Sequence, residues 1–145
     1  MDVLLVKCTK KIIDLSGKWS FSIDRQDNGE KEKWFSHTLN DCINLPGSMP
    51  EKLKGDEVTA KTQWTGSLYD SSYYYNPYME KYRKEGNIKF PFFLTPDKHY
   101  VGAAWYQKEV NIPADWKGER ILLFLERPHI ETTVWDERAK DRNAE

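Results

Sequence analysis

The sequence has little cysteine, no long apolar run and almost no net charge, and each shortage removes a class of protein. Two cysteines, Cys8 and Cys42, are too few for a disulfide framework. Spacing alone does not decide a bridge between them, and they read as two free thiols. No apolar stretch approaches the roughly 20 residues of a membrane-spanning helix, and mean hydropathy is −0.80, so no membrane partner is expected. The 22 basic residues nearly cancel the 23 acidic ones, leaving a net charge of −1. With no basic block, nucleic acid is not an expected partner. The start, Met1 to Cys8, lacks a basic segment and carries an apolar run of only four residues. It is not expected to act as an export signal, and the compartment is left open.

What the chain has in quantity is aromatic surface: 6 Trp, 8 Tyr and 6 Phe in 145 residues. That length is enough for one domain with a real core. Most of these rings should be core, because each buries a large apolar area. Exposed ones would be free to stack on sugar rings.

The apolar pattern has a period of two. Leu15, Trp19, Phe21 and Ile23 fall on one face, and Ser16, Lys18, Ser20, Ser22 and Asp24 on the other. This is a half-buried strand. Gln26 to Lys31 reads as a turn around Asn28-Gly29. Trp34, Phe35 and Leu39 form a short helical or extended link, and Ile43 to Ser48 a strand broken by Pro46-Gly47. From Ala104 the alternation returns, with Ala104, Tyr106, Val110 and Ile112 on one side. Ile121 to Leu125 is apolar without a break, as in a strand buried on both faces. Ile130, Thr132 and Val134 alternate again after Pro128. Short strands with Gly/Pro turns argue for an antiparallel sandwich. Trp19, Phe21, Tyr106, Val110, Leu123 and Phe124 are the expected core between its two sheets.

Two stretches stand apart. Residues 50–100 are irregular, with a tyrosine tract (Tyr69, Tyr73, Tyr74, Tyr75, Tyr78, Tyr82). One or two helical turns are expected after Pro77, then an extended, proline-interrupted segment from Ile88 to Pro96. The tyrosine rings would either stack on sugars or pack on the sandwich. The tail after Trp135 is almost wholly polar and is expected to fray or form an exposed helical turn. The domain reading is therefore an N-terminal extension at 1–14, a β-sandwich at 15–135 and a polar tail at 136–145.

Catalytic chemistry is hard to place. Acidic residues abound, but no pair is set by spacing at a shared strand end or against a histidine, so no catalytic residue is assigned. His37, His99 and His129 show no metal-ligand spacing, and neither a metal nor another cofactor is expected. His129 sits in a corner between Arg127 and Glu131. An Arg127–Glu131 ion pair fixing that corner is the favoured reading, with sugar contact as the other.

Five segments in order carry a family resemblance. They are Leu15-Ser16-Gly17-Lys18-Trp19-Ser20-Phe21; Leu45-Pro46-Gly47-Ser48; Trp105-Tyr106-Gln107-Lys108 with Ile112-Pro113, Trp116-Lys117-Gly118 and Arg120-Ile121; Glu126-Arg127-Pro128-His129; and Val134-Trp135. Together, over residues 15–135, they resemble the amino-terminal sugar-binding domain of glycoside hydrolase family 2, the β-galactosidases and β-glucuronidases. The resemblance implies an all-β, antiparallel jelly-roll β-sandwich of the galactose-binding type. It implies attachment to an immunoglobulin-like domain and a TIM barrel, and the family's two catalytic glutamates lie on that barrel. The match stops at Trp135, where the family continues with a turn and further strands. That leaves open a truncation of the C-terminal strands, with self-association through an exposed sheet edge.

By the resemblance, the chain is a non-catalytic domain of a bacterial, β-galactosidase-like enzyme, periplasmic or extracellular. It would brace the barrel and shape the substrate pocket. Carbohydrate is the implied partner, weakly bound or bound only in the whole enzyme. The segment from Phe92 to His99 matches by position a loop that reaches the active-site rim. Thr95, Asp97 and Lys98, with Arg127 and His129 at the corner, are the substrate-proximal candidates. The alternatives are a free-standing carbohydrate-binding module and a structural domain with no ligand.

Overall fold

The computed structural model describes residues 11–59, 61–63, 70–89, 91, 95–128, 130–136 and 140–141, the last two by backbone alone. Among these, the strands are β1 (Gly17–Asp24), β2 (Asp41–Leu45), β3 (Asp56–Glu57), β4 (Lys98–His99), β5 (Ala103–Gln107), β6 (Val134–Trp135) and β7 (Lys140–Asp141). One short helix, α1, spans Ser72–Tyr75, and short 3-10 segments lie at Trp34–Ser36, Pro77–Tyr82 and Ala114–Trp116. Every strand pair is antiparallel. The fold is all-β.

The alternating segment is the centre of the molecule. β1 pairs with β2 on one side and β5 on the other, giving the order β2-β1-β5. The register sets Trp19 opposite Ile43, Phe21 opposite Tyr106 and Ile23 opposite Ala104. Residues opposite each other share a face, so the apolar set of β1 meets the apolar set of its neighbours. Phe21 is 1 % exposed, and its ring lies 5.1 Å from that of Tyr106. Lys54 closes the end of this core. Its ammonium pairs with Asp41 at 2.6 Å and sits 5.7 Å from the centre of the Phe21 ring.

The opposite face of β1 is not left to water. The segment from Asn28 to Leu39 folds across it and is tied at two points. Asp24 accepts from the backbone N–H of Asn28 at 3.0 Å and of Gly29 at 2.7 Å. The Gln107 side chain donates to the carbonyls of Trp34 and His37 and accepts from the Leu39 N–H. Rings then stack outward from Trp105: Trp34 and Trp135 lie 6.2 and 6.1 Å away, and Phe35 stacks flat on Trp135 at 4.5 Å. The turn at Asn28-Gly29, the link at Trp34 and the break at Pro46-Gly47 fall where the sequence puts them.

Three expectations are corrected. Of the expected core, Phe21 is buried and Trp19 half-buried, but Tyr106 keeps 38 % of its surface exposed, Val110 37 %, Leu123 54 % and Phe124 81 %. The run from Ile121 to Leu125 is not a buried strand. Among the described residues its backbone makes no hydrogen bond and no strand lies beside it. A segment apolar on both sides is covered only when partners flank it on both, and here left-handed residues isolate it, Gly118 before and Arg127 after. At Lys140–Asp141 the tail is neither frayed nor helical, since these residues return as β7 against β6; apart from Asp136 the rest of the tail lies outside the described residues. Trp135 anchors that pair through its stack on Phe35. A second continuous sheet facing β2-β1-β5 is not formed among the described residues.

Cys42 carries a free, exposed thiol; Cys8 lies outside the described residues. No described helix is long and apolar enough to cross a membrane.

Candidate functional site

The polar groups of this small fold converge where β1 ends. Asp24 is buried at 3 % exposure and holds three donors: Oδ1 takes the Asn28 N–H, and Oδ2 takes Gly29 N–H and the indole N–H of Trp105, the last at 3.1 Å. Burial pushes this carboxyl up, but the hydrogen bonds from Asn28, Gly29, Trp105 and Gln26 outweigh it and hold the group below its ordinary range. Gly29 is required by space. A Cβ there would lie 2.7 Å from Asp24 Oδ2 and inside the Trp105 indole.

The next residue turns the network outward. Arg25 grips Asp56 with two parallel 2.7 Å contacts, the fork geometry at which guanidinium is best. Its guanidinium carbon also lies 5.5 Å over the Tyr100 ring. The Asp56 carboxyl is lowered first by the Arg25 hydrogen bonds, against burial, and further by the charges of Arg25, His99 and Lys98. The Tyr100 hydroxyl lies 3.1 Å from the Asp24 carbonyl and 3.0 Å from that of Ala103. Burial pushes its phenol up, with the Arg25 charge opposing. The β3–β4 ribbon is thereby clipped to the end of the main sheet.

This ribbon receives part of the sequence-derived site. Lys98 lies in β4, opposite Glu57 of β3, and its ammonium pairs with the Glu57 carboxylate. Thr95 and Asp97 precede it on exposed backbone. Arg127 is elsewhere in kind: it occupies a left-handed corner with φ 53°, its side chain is 90 % exposed, and its ion partner is Glu126 at 3.7 Å, not Glu131. His129 lies outside the described residues. Lys98 and Arg127 each pair with a carboxylate close to them on their own surface.

The tyrosine tract divides. Tyr73 is buried, with its hydroxyl donating to the Tyr82 carbonyl and its own carbonyl accepting from Arg83. Tyr74, Tyr75 and Tyr78 stay open, Tyr78 at 85 % exposure. Packing explains Tyr73, whose ring meets that of Tyr74 edge-on at 5.0 Å, while Tyr75 and Tyr78 present their rings to solvent. Tyr69 lies outside the described residues.

Asp24, Arg25, Asp56 and Tyr100 were not singled out by sequence reasoning, and Trp105 entered only through the family resemblance, not as a site residue. One signal was available: Asp24 stands four residues before Asn28, the spacing of a carboxylate that closes a turn onto its own strand. The Arg25–Asp56 pairing had no sequence signal, because it joins residues 31 apart.

Chemically, the cluster is an array of ionised acceptors and fixed donors. Every carboxyl with a resolved shift is lowered, including Asp24, Asp41 and Asp56. A glycosidic general acid needs the opposite shift. The concavity beside Asp24, lined by Ile23, Arg25, Asn28, Glu32 and Trp34, holds 190 Å³, below the roughly 300–1,000 Å³ of small-molecule pockets. Among the described residues no cluster could hold a metal ion.

No protein-family model matches the chain. It is similar to a β-glucuronidase of Paenibacillus borealis, 24 % identical over 127 residues, which cover 88 % of this chain and 15 % of that enzyme. The chain thus spans about one-seventh of that relative's length. The likeness supports a relationship to family 2 glycoside hydrolases, the coarser part of what the sequence implied.

Proposed function

We propose that this chain is the non-catalytic amino-terminal sugar-binding domain of a family 2 glycoside hydrolase, built on the jelly-roll plan and serving to brace the barrel and shape its substrate pocket. The observation that carries the reading is the match to a β-glucuronidase along 88 % of this chain and only 15 % of that enzyme. A domain-sized piece of a hydrolase is what such coverage describes. The lowered carboxyls agree with a structural rather than proton-transferring role. Thr95, Asp97 and Lys98, beside the Arg25–Asp56 clip, are the residues proposed to face the substrate in the assembled enzyme, with Arg127 and His129 at the corner.

The test has two arms. Incubated with nitrophenyl β-glucuronide and β-galactoside, the chain is expected to give no turnover. Titrated with the same sugars by NMR, it is expected to bind no tighter than about 1 mM. Turnover that vanishes with one carboxylate substitution in this chain would sink the non-catalytic reading. Micromolar binding centred on Tyr74, Tyr75 and Tyr78 would favour a free-standing carbohydrate-binding module instead.

A further inference from the structure

The exposed run from Ile121 to Leu125 has a property its apolar character alone does not give: its flanks make it self-complementary. The order is Glu119-Arg120, five apolar residues, Glu126-Arg127. All five apolar side chains are exposed, from 37 % at Leu125 to 81 % at Phe124. Among the described residues none of their backbone groups is hydrogen-bonded. Unpaired N–H and C=O groups beside exposed apolar side chains form a template for another strand.

We propose that two copies of this chain associate by pairing these segments antiparallel about a twofold axis at Leu123. In that register Ile121 faces Leu125 of the second copy and Leu122 faces Phe124. Arg120 then faces Glu126, and Glu119 faces Arg127 at the strand ends. Each contact occurs twice, as an isologous interface demands.

Charge selects this register over its neighbours. A slip of one residue one way brings Glu119 against Glu126; a slip the other way brings Arg120 against Arg127. Like charges directly opposite destabilise a strand pair. Shifts of two residues set Arg120 against Phe124, or Glu126 against Leu122, and lose the ion pairs. Parallel in-register pairing stacks Arg120 on Arg120 and Glu126 on Glu126. The Glu126–Arg127 contact within one chain is long, at 3.7 Å, and both side chains are over 70 % exposed, so it yields readily to a partner across the strand. A net charge of −1 adds little long-range repulsion between copies.

The test is a charge swap on the whole chain, read by sedimentation equilibrium from about 10 µM to 1 mM. Wild type is expected to show a monomer–dimer equilibrium. Glu126→Arg and Arg120→Glu should each weaken it about tenfold, since each replaces two attractive contacts by two repulsive ones. The double variant should regain wild-type association. An equimolar mixture of the two single variants should form a heterodimer, because each then supplies what the other lacks. Glu80→Arg, the same charge change on the Lys84 pair, controls for net charge and should leave association unchanged. Circular dichroism of each variant confirms the fold, which exposed sites outside the main sheet should not disturb. A wild type that stays monomeric to 1 mM overturns the proposal. So does association insensitive to the single reversals, or a double variant that stays as weak as either; fibrils indifferent to charge would point to a steric zipper instead.

Discussion

Asp24 gathers more donors than any other carboxylate in the described fold, and each oxygen is committed. Replacing it with asparagine keeps one acceptor and puts an amide against N–H donors whichever way the side chain turns. Asp24→Asn should therefore cost about 2–3 kcal/mol in a urea titration. The same carboxyl gives a pH signature. Its value in the fold lies below the ordinary 3.8, so its stabilisation is complete above that value and is lost as pH falls through the lower, folded one. Wild type should lose stability steeply below about pH 4, and Asp24→Asn should flatten that limb; an unchanged slope would remove Asp24 as its source. Gly29→Ala tests the same corner by volume. The methyl would meet the Trp105 ring and the Asp24 carboxylate, and overpacking of this kind costs about 1–3 kcal/mol. If the variant melts like wild type, the loop does not close over Asp24.

At the level of elements, strands were legible where alternation and a partner coincided. β1 followed from Trp19, Phe21 and Ile23, and its turn from Asn28-Gly29. The short helical turns at Trp34 and after Pro77 followed from local residues. Ile121 to Leu125 misled, because an unbroken apolar run specifies that burial is wanted and not what supplies it. The polar side of β1 misled in the other direction: Ser22 and Asp24 read as a solvent face, yet the Asn28–Leu39 segment and Trp105 cover it. Of the candidate site, Lys98 lands in the charged ribbon, whereas Arg127 could not be paired correctly from sequence. A left-handed backbone at that residue turns it toward Glu126. Substitution separates the two apolar classes. Phe21→Ala should cost about 3–5 kcal/mol, as for a buried aromatic. Leu123→Ala should cost under about 1 kcal/mol when measured at low micromolar concentration, where self-association does not intrude. Equal costs at the two positions would return Leu123 to the core.

Across the whole molecule, stability should be uneven. The β2-β1-β5 sheet carries the most buried ring and most of the paired backbone, while the described residues of 108–133 run mostly without either. Amide hydrogen exchange should be slowest at the sheet's paired positions, such as Trp19, Phe21, Ile43 and Tyr106, and fastest between Lys117 and Glu126. Protection spread evenly over both regions would contradict this division.

The central place of β1 also dictates the order in which the molecule can be assembled during synthesis. Its first partner, β2, ends at Leu45, and its second, β5, is complete only at Gln107. About 60 residues separate the two, or roughly 3–12 s at ~5–20 residues per second. For that interval the main sheet of a nascent chain can consist only of the β1–β2 pair, with Phe21 lacking Tyr106 and Asp24 lacking the Trp105 indole. The chain's most committed carboxylate and its most buried ring are thus the last parts of the sheet to be secured, so the newborn hairpin is the species on which a ribosome-bound chaperone would act.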